Sequence, residues 1–249
     1  MRLLILGESD SIGMALADPS QAWGHRIPVE IAEITGDSPE TVHVRFYPWA
    51  VNSAEYLEKV LDQRPFDAVV VSATKVAFTV YSADNRVRKV LGDRIGDWFK
   101  GSVRQFDRKT RYRKPPGLRR NLNSAVHRAA RKVIGQAADT NARVVAESYV
   151  QAFARLARLE DARIVVVAAP PLPSSAAKRR PKLAGEVEWF RNAIRDECRR
   201  RHFVHFDAEN VLPAPGPRRD ALFVDDVHKT PALHQLVGRR VAEIVAGLD

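Results

Sequence analysis

Residues 1–13 read MRLLILGESDSIG, and how this stretch is read decides the rest of the chain. Leu3, Leu4, Ile5 and Leu6 form a continuous apolar run, the pattern of a parallel strand covered on both faces. The run stops at Gly7. Glu8, Ser9, Asp10, Ser11, Ile12 and Gly13 follow, so two glycines bracket two acids and two serines. A buried strand that ends this way is turning toward a helix. Such turns lie at the carboxyl ends of parallel strands, where open α/β sheets gather their reacting groups.

Working outward, the same kind of strand recurs. Val42–Phe46 alternates, with Val42, Val44 and Phe46 on one side. Ala68–Val71 is wholly apolar after Pro65-Phe66-Asp67, and Ile164–Ala168 repeats that pattern before Pro170-Pro171. Phe203–Phe206 reads as a fifth strand. Helical spacing fills the gaps. Trp23–Ile34 carries Ile27, Ile31 and Ile34 on one face, with Pro28 assigned to its first turn. Ser53–Gln63 has a stripe of Tyr56, Leu57, Val60 and Leu61, with Ser53 as a cap. Val187–Arg201 is a further helix. The last runs from about Pro231 to Leu248, with Leu233, Leu236, Val237, Val241, Ile244 and Val245 facing the core. Strands separated by helices imply βαβ units, an α/β fold and a five-stranded parallel sheet.

About 90 residues separate the third and fourth strands. They are expected to hold a helix at Asp84–Phe99, a break at Pro115-Pro116-Gly117 and a long helix near Leu118–Leu159. No strand pattern is legible there. The expected organisation is one domain, residues 1–249, with a basic helical insertion at about 84–160. Ala176–Pro181 and Pro213–Pro217 read as exposed loops.

Composition narrows the function classes. The 249 residues are 45% apolar, enough to bury a real core, and the net charge is +10. Residues 100–132 hold twelve Lys or Arg and one acid, a stretch that would attract an anionic partner or else form a solvated arm. No apolar run reaches the 18 or more residues of a spanning helix, and no signal-peptide pattern opens the chain, so a cytoplasmic protein is expected. Cys198 is the sole cysteine, which excludes an internal disulfide, and no Cys/His cluster suggests zinc. Arg195, Arg199, Arg200 and Arg201 around Cys198 could activate its thiol; a plain helix residue is the simpler reading. The turn at 7–13 fits neither G-x-x-x-x-G-K-[ST] nor G-x-G-x-x-G, which argues against a phosphate cradle.

Ser9 sits in the turn as either a helix cap or a nucleophile. As a nucleophile it needs a base, because a serine hydroxyl alone is weak. The sequence VDDVHKTP at 224–231 offers one just before the final helix. His228 is suited to shuttle a proton, and Asp225, three positions earlier, can fix its tautomer. Asp226 is its neighbour; the spacing favours Asp225. Ser11 reads as structural, and His25, His43, His127, His202, His205 and His234 have no partner pattern.

These residues resemble the SGNH (GDSL) hydrolase family. GESDSIG is similar to its first block, G-D-S-x-x-x-G, with Gly7, Ser9 and Gly13 in register and Glu8 in place of Asp. VDDVH is similar to its D-x-x-H block, with Asp225 and His228 in register. The middle departs. Where a second block would supply a glycine, the chain reads Trp49-Ala50-Val51-Asn52-Ser53. Where G-x-N-D would follow the third strand, it reads Ser72-Ala73-Thr74-Lys75, with Thr74 at the asparagine. The resemblance implies a flavodoxin-like three-layer α/β/α sandwich. It also implies a serine esterase or acyl hydrolase working through an acyl-enzyme, with Ser9, His228 and Asp225 catalytic. The oxyanion would be held by the Ser9 N–H, helped by the backbone N–H of Asn52 or Ser53 and the hydroxyl of Thr74 or Ser72; Lys75 is an alternative source of positive charge there. No cofactor or metal is implied, and the substrate would be a small-molecule, carbohydrate or lipid ester. The alternative is a catalytically weakened binding protein on the same fold that uses the basic insertion, residues 100–132, to hold an anionic partner.

Overall fold

A computed structural model describes residues 1–8, 10–13, 16–79, 81–82, 137–138, 140–224 and 228–248. The chain forms two compact units, one of Met1–Lys75 with Ala142–Asp249 and one of Val76–Asn141.

The first unit is built on a five-stranded sheet: β1 (Arg2–Gly7), β2 (Glu40–Arg45), β3 (Ala68–Ala73), β4 (Arg163–Ala168) and β5 (Val204–Asp207). Every pairing is parallel and the strand order is β2-β1-β3-β4-β5. The five expected strands are therefore the five observed, with no end moved by more than two residues. This order turns outward in both directions from the β1–β3 pair, and such a switch point opens a crevice at the strands' carboxyl ends. Gly7 and Ala73 end the two strands that flank it.

Helices cover both faces. Leu3, Ile5, Val70, Val165 and Val167 point to one side, against α1 (Trp23–Thr35) and α5 (Pro231–Val245). The alternate residues point to the other side, where α2 (Ser53–Leu61), α3 (Ala142–Leu156) and α4 (Pro181–Arg200) pack against one another and the sheet. Leu4, Leu6, Val69, Val71, Tyr149, Phe153 and Phe190 are all fully buried. The layers are those of an α/β/α sandwich.

Local readings are corrected in several places. Pro28 lies inside α1, past its first turn. Ser53 is the first helical residue of α2, not its cap; its hydroxyl donates to the Pro48 carbonyl at 2.6 Å. Tyr56 and Leu236 are 46% and 45% exposed, outside the faces expected to bury them. Residues 174–179 form a short helix where a loop was expected. Asp220 accepts from the N–H groups of Ser174 at 2.7 Å and Ser175 at 3.0 Å, a cap from 46 positions away that no local pattern reveals. Pro181 then opens α4, six residues before the expected start.

The second unit contains a helical turn at Val76–Thr79 and a two-residue antiparallel pair, Tyr81–Ser82 with Ala137–Ala138. Strands this short leave no periodicity to read. The expected insertion at 84–160 and this unit overlap without coinciding, because α3 belongs to the first unit, packed on α4. The expected helix at 84–99 and the basic stretch at 100–132 lie outside the described residues.

Candidate active site

The turn after β1 is closed on itself. Ser11 Oγ donates to the Glu8 carbonyl at 2.9 Å, and Ile12 N–H donates to the same oxygen at 3.1 Å. A Cβ at position 7 would fall 1.8 Å from Ser11 Oγ, so no larger residue fits without breaking the turn. Gly13 ends it at φ +73°, a conformation L side chains rarely adopt.

Ser11 also lies 3.2 Å from His43 Nε2. Its single proton goes to the Glu8 carbonyl, so the His43 ring N–H is the donor. Burial, with His25 beside it, pushes His43 down to about 4, so the ring is neutral. A histidine that donates to a serine is not placed to accept that serine's proton. This pair braces the turn, which agrees with reading Ser11 as structural.

The two acids of the turn are both buried and meet opposite fates. Burial pushes the Glu8 carboxyl up to about 8, against the Thr74 side chain and the charges of Lys229 and Arg45. Neither of its oxygens has a partner of good hydrogen-bond geometry among the described residues. Asp10 would also be raised by burial. The Lys229 ammonium outweighs that, helped by His234 and the indole of Trp23, and holds Asp10 below the usual range. Lys229 Nζ and Trp23 Nε1, the latter at 3.2 Å, both donate to Asp10 Oδ2. His234 Nδ1 accepts from the Trp23 N–H at 3.2 Å, which leaves its Nε2–H facing Asp10 Oδ1 at 3.9 Å. Burial pushes His234 down to about 4, so it enters this network neutral.

Before α5, residues 222–224 and 228–230 pair antiparallel. Val224 N–H donates to the His228 carbonyl at 2.8 Å, Phe223 pairs with Lys229 antiparallel, and Thr230 N–H donates to Leu222 O at 2.9 Å. His228 is thus fixed by its backbone in a half-buried position. Ser9 and Asp225 lie outside the described residues.

Of the expected oxyanion helpers, Asn52 is exposed at the start of α2 with φ 63°, the left-handed conformation that glycine takes most easily and asparagine tolerates better than most residues. Asn52 lies in the stretch Trp49–Ser53, where the resemblance would place a glycine, and its backbone is in a conformation open to glycine. Thr74 is buried. Its N–H donates to the Tyr149 hydroxyl at 3.0 Å and its side chain lies beside Glu8. Tyr149 donates in turn to Ser72 O at 2.7 Å, so α3 pins the end of β3. Lys75 Nζ donates to the carbonyls of Pro170 at 2.7 Å and Pro171 at 3.1 Å, tying β3 to the exit of β4.

Sequence reasoning passed over Asp10, Lys229, Trp23 and Tyr149. The available signal was position: Asp10 and Lys229 each follow a candidate catalytic residue. Cys198 is buried, and burial with the adjacent Glu197 carboxylate pushes its thiol up to about 12. Of the four arginines expected to activate it, Arg200 and Arg201 pair with Glu197, Arg199 with Asp196 and Arg195 with Asp207. Among the described residues no three His, Cys, Asp or Glu side chains are grouped to hold a metal ion, and no helix is long and apolar enough to cross a membrane.

No protein-family model and no curated protein matches the chain. Solved structures do. A carbohydrate acetylesterase from Sinorhizobium meliloti aligns over 100% of both chains, with a TM-score of 0.56 at 11% identity. A point mutant of an acetyl-xylooligosaccharide esterase from Geobacillus Stearmophilus aligns over 100% of this chain and 94% of its own, at 0.57 and 12%. The aryl esterase of M. Smegmatis covers 100% and 99%, at 0.55 and 14%. The fold of this chain is the α/β/α sandwich these esterases share, as the resemblance to SGNH (GDSL) hydrolases implied.

Proposed function

We propose that the protein is a serine ester hydrolase. Ser9 attacks the carbonyl of a carboxylic ester, and His228 takes its proton and returns it to the leaving alcohol. Asp225 orients the imidazole. The acyl-enzyme formed on Ser9 is then resolved by water, or by a second alcohol if the enzyme transfers the acyl group. The developing oxyanion is held by the Ser9 N–H and by Asn52, the more exposed helper; Thr74, with its own N–H engaged by Tyr149, assists from below. Small acyl esters are the expected substrates, in line with the acetyl-carbohydrate and aryl esterases that share the fold.

One observation carries this reading. The buried Asp10–Lys229 ion pair spans 219 positions and joins the residue next in sequence to Ser9 with the residue next to His228. This contact between the two ends of the chain, just past the carboxyl end of β1, supports reading the two sequence blocks as one site.

The test is hydrolysis of p-nitrophenyl acetate. Ser9→Ala is expected to lose about 10⁴-fold or more in kcat, as nucleophile removal does in serine hydrolases, and to abolish labelling by a fluorophosphonate. Equal rates in both proteins would reject the assignment. A second reading rests on the twelve basic residues of 100–132: a binding protein for an anionic partner. It expects salt-sensitive binding to nucleic acid or acidic vesicles and no labelling of Ser9.

A further inference from the structure

Among the described residues, Asp10–Lys229 is one of two deeply buried ion pairs, the other being Arg191–Asp207. Lys229 and Asp10 have side chains only 4% and 10% exposed, whereas surface pairs such as Lys59–Glu55 are 69% and 65% exposed. Asp10 Oδ2 also accepts from the indole of Trp23, whose backbone N–H is held by His234. Four segments therefore meet at one carboxylate: the turn after β1, the start of α1, the paired residue Lys229 before α5, and the first turn of α5.

A pair this buried is a weak source of stability. Its Coulombic attraction mainly offsets desolvation, and an apolar pair of similar volume would often hold the fold as well. What an apolar pair lacks is direction. A charged pair sharing one oxygen with an indole N–H fixes the separation and angle of the groups that carry it. Here those groups belong to the residues next in sequence to the proposed nucleophile and the proposed base. Lys229 is gripped on both sides, through its backbone pairing with Phe223 and through its side chain.

We propose that Asp10 and Lys229 are positioning residues, a clamp that sets the turn at 7–13 against the segment bearing His228. This rests on the ester-hydrolase reading. The clamp supplies no proton and touches no substrate. Its contribution is geometric, and small misplacements of reacting groups cost about 100-fold in rate.

The experiment compares wild type, Lys229→Met and the double variant Asp10→Leu/Lys229→Met, as full-length protein. Thermal stability is measured alongside kcat and KM for p-nitrophenyl acetate. Lys229→Met leaves a buried carboxylate unpaired and is expected to lose both stability and kcat. The double variant restores an uncharged interior and is expected to regain most of the wild-type melting temperature. Its kcat should stay at least tenfold low with KM within about twofold, because direction is lost while packing is kept. A double variant that recovers stability and full kcat together would overturn the proposal, leaving the pair merely structural. If the double variant does not fold, Lys229→Arg decides: it keeps the charge but changes the geometry, and a wild-type kcat would overturn the clamp. Failure of the hydrolase reading has a separate signature, a wild type no faster than Ser9→Ala. The clamp is then read from the His228 ring resonances. They should shift in the clamp variants while those of His25 and His202 do not, and an unmoved His228 would reject it.

Discussion

Glu8 and Asp10 stand two positions apart in one turn, and both are buried. Burial acts on them alike, raising each carboxyl. Asp10 has Lys229 against it and is ionised; on Glu8 burial outweighs the Thr74 side chain and the charges of Lys229 and Arg45, and its carboxyl is pushed up to about 8. The difference teaches that depth does not decide the charge state of a buried acid. The placement of one ammonium does. It also divides the turn by task. The Asp10 side is an anchored electrostatic joint, and the Glu8 side is a neutral plug between the ends of β1 and β3.

The strongest way to break this comparison is to remove the cation. Lys229→Met should destabilise the protein by about 3–5 kcal/mol, the usual effect of stranding one member of a buried pair. Chemical denaturation near neutral pH measures it. The loss should shrink in acid, where Asp10 becomes protonated. Asp10 has a depressed pKa in the fold, so its stabilisation is present above the unfolded value of 3.8 and fades as pH falls through the folded value. Glu8 behaves oppositely. Its folded pKa of about 8 exceeds the unfolded 4.5, so between these values the native state holds a proton that the unfolded chain has released. Stability from this group is complete below 4.5 and declines as pH rises toward 8. Glu8→Gln, which keeps shape without titrating, should remove that slope. Relative to the variant, wild type should lose roughly 3 kcal/mol between about pH 5 and pH 7. Parallel pH–stability curves for the two proteins would show that Glu8 is not the titrating group.

The contrast between the two acids was not legible in the sequence, although the turn that holds them was. Parallel strands covered on both faces read as short apolar runs, and the runs at Leu3–Leu6, Ala68–Val71 and Ile164–Ala168 lie inside the observed strands. The spacing of glycines marked Gly7 and Gly13, and both prove to be sterically required. Pairings between distant residues have no such signature. Nothing in GESDSIG says that its second acid meets Lys229 and its first does not. Nothing in PPLPSS says that Asp220 will cap it. The departures in the middle blocks became intelligible only as backbone and packing: Asn52 through its left-handed φ, and Thr74 through Tyr149. Tyr149 lies in a helix that sequence spacing had assigned to the insertion.

The smallest effect isolates the turn from both acids. Ser11 holds the Glu8 carbonyl and accepts from His43, without touching either carboxyl through a described hydrogen bond. Ser11→Ala removes one buried hydroxyl and leaves the His43 N–H and one lone pair of the carbonyl short of a partner. The expected loss is about 1–3 kcal/mol, set by those unsatisfied groups. The turn is also held by the Ile12 N–H bond to the same carbonyl and by the Asp10 clamp, so it should persist. Two consequences then separate Ser11 from its neighbours. The pH slope assigned to Glu8 should survive, because burial and not the hydroxyl sets it. Fluorophosphonate labelling should survive as well, because the Ser11 proton is committed to a carbonyl and its histidine is a donor. Loss of labelling in Ser11→Ala, with its folding intact, would move the nucleophile from Ser9 to Ser11.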